Sequence, residues 1–289
     1  MTKNAGGLRV LIAYVAAIVA AVVAGWLARA MHPWWIVAIA DVAGTAVIFG
    51  FSRAYDNSSF YDAYWSVAPP LIGAYFVWEA GASPRLLLAL VLVTAWAVRL
   101  TFNWWRRWDG LTHEDWRYVD LRDQTGRMYW AVSWLGLHLF PTVLVYLGCL
   151  PLWAAAESEV VLGVVDAVAV VVMGGAITIE AIADRQLFAH VAEGGGGVLD
   201  RGLWRWSRHP NYFGELALWW GVALFGVASG SREWFVFAGA VAMTGLFVFI
   251  SIPMVERRSL ARRGDAFRAY SARTSMLIPW PPKERDREA

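Results

Sequence analysis

The sequence predicts an all-α fold, a multi-pass transmembrane helical bundle of about seven or eight spans. Of its 289 residues, 58% are hydrophobic and only 17% are charged, which differs from the composition of ordinary soluble domains. Uncharged stretches recur along the chain, and several are long enough to cross the hydrocarbon core of a bilayer. The chain contains no P-loop and no dinucleotide-binding glycine motif. These observations predict an integral membrane protein.

Each expected span corresponds to one apolar stretch of the chain. The first four cover residues 10–27, 34–51, about 61–78, and 86–105. The last four cover residues 128–156, 160 to about 190, 212–228 and 234–255. The third is the weakest, because Asp62, Pro69 and Pro70 interrupt its apolar character and predict a kinked helix. Four consecutive glycines, residues 194–197, predict the end of the sixth helix.

The distribution of basic residues predicts how the chain is oriented. If the N-terminus is cytoplasmic, most arginines fall in the cytoplasmic gaps and the tail, and the opposite gaps hold only Arg29, Arg85 and Arg232. The positive-inside rule therefore predicts that both the N- and C-termini are cytoplasmic. The net charge of +2 is too small to indicate a nucleic-acid partner.

The segment of residues 199–215 is unusually rich in polar and aromatic side chains for a connection between membrane helices. Asn211 and Glu215 lie four residues apart where the seventh helix is expected to begin. Free backbone N–H groups at a helix start attract anions, and Arg208 and His209 lie just upstream. This combination predicts a site for a phosphate-bearing ligand.

Charged groups inside expected spans are costly to bury, so each is a candidate for function. Arg99 shares a helix face with Asn103, and it either lines a site or extends its charge to the membrane interface. Glu180 and Asp184 lie four residues apart on the sixth span. These two acids either neutralise Arg99 or hold the hydroxyl and amide groups of a cofactor.

Asp62 lies near the start of the third span, beside Tyr61 and Tyr64. A carboxyl group in a medium of low dielectric has a raised pKa and can donate a proton to a carbonyl oxygen. The alternative is an acid at a helix start that remains in water. The five histidines show no metal-ligand spacing, so no metal is predicted, and the single cysteine, Cys149, is expected to be a buried core residue.

Residues 202–215, Gly-Leu-Trp-Arg-Trp-Ser-Arg-His-Pro-Asn-Tyr-Phe-Gly-Glu, resemble the signature of a bacterial family of uncharacterised membrane proteins related to the steroid 5α-reductases. The resemblance extends to residues 61–69, Arg99 with Asn103, and residues 114–118, 184–187 and 270–279. It covers most of the chain from about residue 55. It therefore implies an N-terminal two-helix membrane segment, residues 1–54, and a reductase-like transmembrane domain, residues 55–289, in a bacterial inner membrane.

The resemblance implies an NADPH-dependent enzyme that reduces a C=C bond in a lipid-like α,β-unsaturated carbonyl substrate. The matched positions that would hold NADPH are Arg99, Asn103, Asp184, Asn211, Glu215, Tyr270 and Arg273. Arg208, His209 and Tyr212 lie in the same segment and are added to this cofactor set.

The catalytic assignment implied by the resemblance centres on Asp62, which aligns where the reductases carry a glutamate that binds the substrate carbonyl. Trp96 stands where the steroid enzymes carry a tyrosine that helps to polarise the carbonyl. An indole N–H donates a hydrogen bond but is not a general acid, so Tyr61 or Tyr64 is expected to take that role.

Two further functions fit the sequence. The pattern Arg208-His209-Pro210-x-Tyr212-x-Gly214 also resembles the membrane isoprenylcysteine carboxyl methyltransferases, in which a comparable motif meets S-adenosylmethionine. A non-catalytic lipid-binding protein on the same scaffold is the other alternative. Asp62 and the Asn211/Glu215 pair favour the reductase, because methyl transfer does not require an acid for a carbonyl group.

Overall fold

The computed structural model describes residues 3–283, and over this range the chain forms helices and turns without a β-strand. The chain divides into two compact units, Met1–Glu159 and Val160–Ala289. Arg285 and Arg287 of the predicted basic tail, and the last residues of the predicted second domain, lie outside the described residues. The domain division expected after residue 54 stays a prediction.

The first unit is built from antiparallel helices joined by short turns. Its helices are α1 Lys3–Leu27, α2 Pro33–Ala54, α3 Tyr64–Ala80, α4 Pro84–Arg107, α5 Trp116–Thr125, α6 Tyr129–Val132 and α7 Phe140–Ala156. A π-helical turn, Ser133–Leu139, links α6 to α7, so the expected fifth span forms one uninterrupted helical segment. Widened turns of this kind are frequent at functional sites.

Side-chain caps explain where several of these helices begin. Pro33 and Pro84 are the first residues of α2 and α4, where the missing proline N–H would have had no helical partner. Ser83 caps α4 by accepting a hydrogen bond from the backbone N–H of Leu86 at 3.2 Å. Asp115 caps α5 in the same way, through the N–H of Arg117 at 2.9 Å.

Small residues bring the helices of the first unit close together. Gly44 of α2 leaves no room for a side chain, because a Cβ atom there would lie 2.2 Å from the Tyr64 hydroxyl and 3.3 Å from the Ala17 carbonyl oxygen.

Pro69 and Pro70 lie inside α3, and the helix continues through both of them. Membrane helices tolerate such prolines when neighbouring helices support the backbone.

The second unit contains the other long helices of the described chain. Its helices are α8 Val164–Ala192, α9 Pro210–Ala228, α10 Phe235–Leu246 and α11 Ile252–Arg273. A second π-helical turn, Phe247–Ser251, joins α10 to α11. The expected end of the sixth span is confirmed, because α8 ends at Ala192 and the backbone of Gly194 has a φ of 103°.

Glycines also set the contact between α8 and α9. A Cβ atom at Gly214 would lie 2.5 Å from Glu180 Cγ and 2.9 Å from the Ala176 carbonyl oxygen. A Cβ atom at Gly221, seven residues later on the same face, would lie 2.3 Å from Met173 Cγ. The two helices therefore pack through small residues, as membrane helices commonly do.

The predicted fold class is confirmed. Six helical segments of the described chain are long and apolar enough to cross a membrane, namely Lys3–Leu27, Pro33–Ala54, Pro84–Arg107, Trp116–Ala156, Val164–Ala192 and Phe235–Arg273. The third and seventh expected spans are also helical, as α3 with 17 residues and α9 with 19, but neither belongs to these six. The chain is therefore a multi-pass, all-helical integral membrane protein.

Candidate functional site

In the first unit, the described structure places Asp62 against α5. Asp62 follows a short helical turn, Ser58–Tyr61, and precedes α3. Its carboxylate accepts a hydrogen bond from the hydroxyl of Tyr118, a residue 56 positions further along the chain. Arg117 and Asp115 on the same side form an ion pair with an Nε to Oδ1 distance of 2.8 Å. Asp62 is therefore a half-buried acid within a polar cluster.

Burial decides the protonation of Asp62. Loss of solvent raises the pKa of its carboxyl group from 3.8 to about 6, against the lowering effects of the Arg117 guanidinium and of the hydrogen bonds from Tyr118 and Ser59. The negative charge of Asp115 adds to the increase. An acid with a pKa near 6 exchanges a proton readily close to neutral pH, which is the property predicted for Asp62 from its position in the sequence.

Tyr61 and Tyr64, the two tyrosines predicted to assist Asp62, have other contacts. The Tyr61 hydroxyl lies 2.7 Å from Thr142 Oγ1 of α7. The Tyr64 ring meets the Tyr14 ring of α1 edge to face, with centroids 5.7 Å apart. Asp62 instead contacts the hydroxyl of Ser59 and, on α5, that of Tyr118, which the predicted set did not include. Its position within the matched residues 114–118 was the available signal in the sequence.

Arg99 and Asn103 lie one helical turn apart on α4, and both are half-buried. Trp96, on the preceding turn, is fully buried and meets the Trp65 ring edge to face at 5.5 Å. The tryptophan that departs from the reductase pattern thus has a packing role in the core of the first unit.

In the second unit, the predicted residues gather around the segment before α9. Arg208 donates from Nε to Glu256 Oε1 at 2.7 Å. Its NH1 group donates to the carbonyl oxygens of Ser271 and Thr274, each at 2.8 Å. The guanidinium therefore binds the side chain of Glu256 and the end of α11 at the same time, a use of several donors that its fork geometry permits.

His209 shares the same acid. Its Nε2 lies 3.1 Å from Glu256 Oε1, and its ring stacks on Tyr212 with centroids 5.3 Å apart and planes 10° from parallel. Tyr212 in turn meets the Phe247 ring edge to face at 4.8 Å. Glu256, which is not among the predicted site residues, therefore lies at the centre of this cluster.

Asn211, Glu215 and Asp184 lie on α9 and α8. Glu215 is buried and accepts a hydrogen bond from Trp219 Nε1 at 2.9 Å. The Oδ1 atom of Asn211 is buried and has no hydrogen-bond partner among the described residues. Glu180 is buried against Gly214, and Asp184 lies half-buried one turn further along α8. Buried acceptors without a donor from the protein are rare, and a water molecule or a bound group can supply the missing donor.

Tyr270 and Arg273 connect the end of α11 to the same segment. The Tyr270 hydroxyl donates to the carbonyl oxygen of Trp204 at 2.5 Å. The Arg273 guanidinium lies 2.5 Å from Asp200 Oδ2. Within the second unit, the structure therefore brings the region before α9 together with the end of α11, and the binding of a cofactor there stays a prediction.

Comparison with known proteins finds one relative that matches most of this chain. The chain is 28% identical over 264 residues to an uncharacterised protein of Schizosaccharomyces pombe, with 81% of this chain and 76% of the relative covered. No solved structure matches.

Two shorter matches carry enzyme names. The chain is 33% identical over 78 residues to methanethiol S-methyltransferase 1 of Bradyrhizobium diazoefficiens, covering 27% of this chain and 25% of the relative. It is 33% identical over 79 residues to methanethiol S-methyltransferase of Mycobacterium tuberculosis, covering 27% of this chain and 29% of the relative. The named relatives therefore match about a quarter of the chain, and they favour methyl transfer over reduction.

A family model covers far more of the sequence. The model described as a protein of unknown function (DUF1295) matches residues 48–274, from the end of α2 to the end of α11. This range includes all of the predicted site residues in both units. The chain belongs to the DUF1295 family.

Proposed function

We propose that this protein is a membrane-embedded methyltransferase that uses S-adenosylmethionine and methylates a small, largely apolar molecule carrying a thiol or a comparable nucleophile. The observation that carries the proposal is the similarity to two proteins named methanethiol S-methyltransferase. The segment from Arg208 to Gly214 supports it, because it also resembles the motif of the membrane isoprenylcysteine carboxyl methyltransferases.

The ion pairs of two arginines in the second unit favour S-adenosylmethionine over an anionic nucleotide as the ligand. Arg208 and Arg273, two arginines of the predicted cofactor set, are bound by the carboxylates of Glu256 and Asp200. Glu180 and Glu215 add two buried acids to the same unit. A sulfonium and an ammonium group, both present in S-adenosylmethionine, are compatible with such surroundings, whereas NADPH requires cations for its phosphates.

The described residues also fit the uncharged parts of S-adenosylmethionine. Asn211 Oδ1 offers an acceptor for an amino group, and Tyr212 offers an aromatic face beside His209. When bound, S-adenosylmethionine would supply an electrophilic methyl group for the nucleophile and would leave as S-adenosylhomocysteine. The residues of this chain bind S-adenosylmethionine and orient it for the transfer, and Glu256 holds His209 in place.

Calorimetry with two ligands tests this proposal. Purified protein is titrated with S-adenosylhomocysteine and, separately, with NADPH. We expect binding of the first and none of the second, and we expect Asn211→Ala to weaken binding about tenfold through the loss of one hydrogen bond to a charged or amino group. Thr178→Ala, an exposed position on α8, is the matched control. Binding of NADPH without S-adenosylhomocysteine would reject methyl transfer.

The second candidate is the NADPH-dependent reduction of a C=C bond in a lipid-like α,β-unsaturated carbonyl. The observation that favours it is Asp62, whose pKa is raised to about 6 and whose partner is the Tyr118 hydroxyl. A neutral carboxylic acid would stabilise the charge that develops on a carbonyl oxygen. NADPH oxidation with a panel of enones, abolished by Asp62→Asn, would support this candidate.

We also propose that both chain ends are cytoplasmic in a bacterial inner membrane. The asymmetry of arginines between alternate gaps supports this orientation. The asymmetry belongs to the eight-span arrangement, because without α3 and α9 as spans Arg201, Arg205 and Arg208 would lie outside the cytoplasm.

A further inference from the structure

An open groove of about 540 Å³ runs between α3 and α4 of the first unit. Its floor includes Ser66 and Ala97, which are buried. Its rim includes Val98, Phe102 and Trp105, which are 64%, 59% and 39% exposed. Apolar side chains with this exposure on a transmembrane helix face hydrocarbon, so the groove is a recess in a lipid-facing surface.

The two helices are fixed against each other on both sides of the recess. Towards one end, Ser66 Oγ and Thr101 Oγ1 form a hydrogen bond of 2.9 Å. Towards the other, Gly73 lies so close to Leu90 that a Cβ atom would be 2.7 Å from Leu90 Cδ1. Between these contacts Pro70 also lines the groove. The recess is therefore part of the packed helix pair.

The length of the groove matches one leaflet of a membrane. It extends along α4 from Thr94 to Trp105, which at 1.5 Å per residue is about 16 Å. Half of a hydrocarbon core of about 30 Å is about 15 Å. The recess is therefore about as long as one phospholipid acyl chain in a single leaflet.

Positive charge lies at one end of the groove. The Nζ atom of Lys3 is 5.3 Å from the centroid of the Trp105 ring, and the Arg106 guanidinium is 5.7 Å from that of Phe102. Both aromatic rings line the groove. Trp105 is also held by α1, because a Cβ atom at Gly7 would lie 2.6 Å from its ring. The recess thus ends at two cations positioned on its own walls.

We propose that this groove binds one phospholipid with an anionic headgroup, whose acyl chain lies between α3 and α4 and whose phosphate lies at Lys3 and Arg106. The site belongs to the first unit and does not depend on the function proposed for the second. Juxtamembrane cations of this kind attract anionic lipids, and the apolar recess holds the chain beneath them.

Native mass spectrometry of the full chain tests the proposal. Protein in detergent micelles is mixed with phosphatidylglycerol or with phosphatidylcholine of the same acyl chains. We expect one retained phosphatidylglycerol per protein and little phosphatidylcholine. Val98→Trp, which fills the groove from its exposed rim, is expected to abolish retention. Val91→Trp, on an exposed position of α4 outside the groove, is expected to leave it unchanged.

The charge is tested separately. Replacing Lys3 and Arg106 by glutamine is expected to reduce the preference for phosphatidylglycerol about fivefold for each cation removed. Arg29→Gln, just beyond the other end of α1, is the matched control. Equal retention of the two lipids by the unmodified protein would overturn the proposal, and so would equal effects of Val98→Trp and Val91→Trp. Circular dichroism and thermal unfolding of each variant identify any that fails to fold.

Discussion

At the scale of single residues, Arg208 shows that an arginine of a sequence motif can direct its hydrogen-bond donors to groups of the protein itself. Its guanidinium contacts Glu256 and two backbone carbonyl oxygens of the α11 end. Lysine at this position would keep the charge but lose the planar fork that reaches all three acceptors. The role of Arg208 is therefore to position His209 and the segment before α9.

Asp62 gives a prediction about stability and pH. Its pKa is about 6 in the folded protein and 3.8 when exposed, so between about pH 4 and about pH 6 the folded state holds more protons at this residue. The free energy of unfolding therefore falls as the pH rises through this window, by about 1–2 kcal/mol after allowance for partial exposure. Thermal unfolding in micelles at several pH values measures the slope.

Replacement of Asp62 is expected to remove this pH dependence. Asp62→Asn has no proton to lose, so its unfolding midpoint should vary less between pH 4 and pH 6 than that of the unmodified protein. Asp265→Asn, an exposed acid of the second unit, is the control and should keep the slope. An unchanged slope in Asp62→Asn would contradict the assignment.

Gly214 gives a second prediction at this scale. Gly214→Ala places a Cβ atom 2.9 Å from the Ala176 carbonyl oxygen, so α8 and α9 must separate and stability should fall by about 1–3 kcal/mol. Gly175→Ala on α8 meets nothing within 4 Å and should stabilise by up to about 1 kcal/mol through helix propensity. Thermal unfolding compares the two, and equal midpoints would argue against close packing at Gly214.

At the scale of elements, α2, α7 and the turn before α3 are joined by hydroxyl groups inside the first unit. Thr142 Oγ1 of α7 lies 2.7 Å from the Tyr61 hydroxyl and 2.8 Å from Thr45 Oγ1 of α2, and it donates to the His138 carbonyl oxygen. His138 lies within the π-helical turn, and its Nε2 is 3.1 Å from Ser52 Oγ. These contacts fix the position of α7 along α2.

Loss of the central hydroxyl should weaken that contact. Thr142→Val keeps the shape of the side chain but leaves the buried hydroxyls of Tyr61 and Thr45 without this partner, at a cost of about 1–3 kcal/mol. Thr178→Val on α8 removes an exposed hydroxyl bonded only within its own helix and should change stability by less than about 0.5 kcal/mol. Urea or thermal unfolding of both variants provides the comparison.

At the scale of the whole molecule, the number of spans decides on which side of the membrane each loop lies. We expect α9 to cross the membrane, which places Gly195 and Ser231 on opposite sides. A reporter that is active only outside the cytoplasm, fused after each position in turn, should be inactive at Gly195 and active at Ser231. Activity at both positions would mean that neither α3 nor α9 crosses, which corresponds to the six-span arrangement.

The sequence predicted the helices well because apolar runs bounded by prolines, caps and glycines are local features. Pro84 after Ser83 begins α4, and residues 194–197 follow α8 directly. The density of polar groups before α9 also marked that segment, and its role in holding a cofactor stays a prediction.

The pairings within the candidate site could not be predicted in the same way. Asp62 and Tyr118 are 56 residues apart, and Arg208 and Glu256 are 48 apart. Their contacts depend on how each helix is rotated about its axis, which periodicity within one helix does not specify. For the same reason Tyr61 and Tyr64 were expected beside Asp62, although their hydroxyls lie against α7, α1 and α2.

The stretch that follows α11 is joined to the centre of the second unit by its backbone. The N–H of Arg208 donates to the Ser275 carbonyl oxygen at 2.8 Å, Ser207 Oγ donates to that of Leu277 at 2.7 Å, and the N–H of Trp280 donates to that of Trp206 at 3.0 Å. Removal of residue 275 and everything after it by a carboxypeptidase would therefore break these hydrogen bonds, which keep Arg208 and His209 in place. An affinity tag is better fused to the amino end, where it leaves these hydrogen bonds intact.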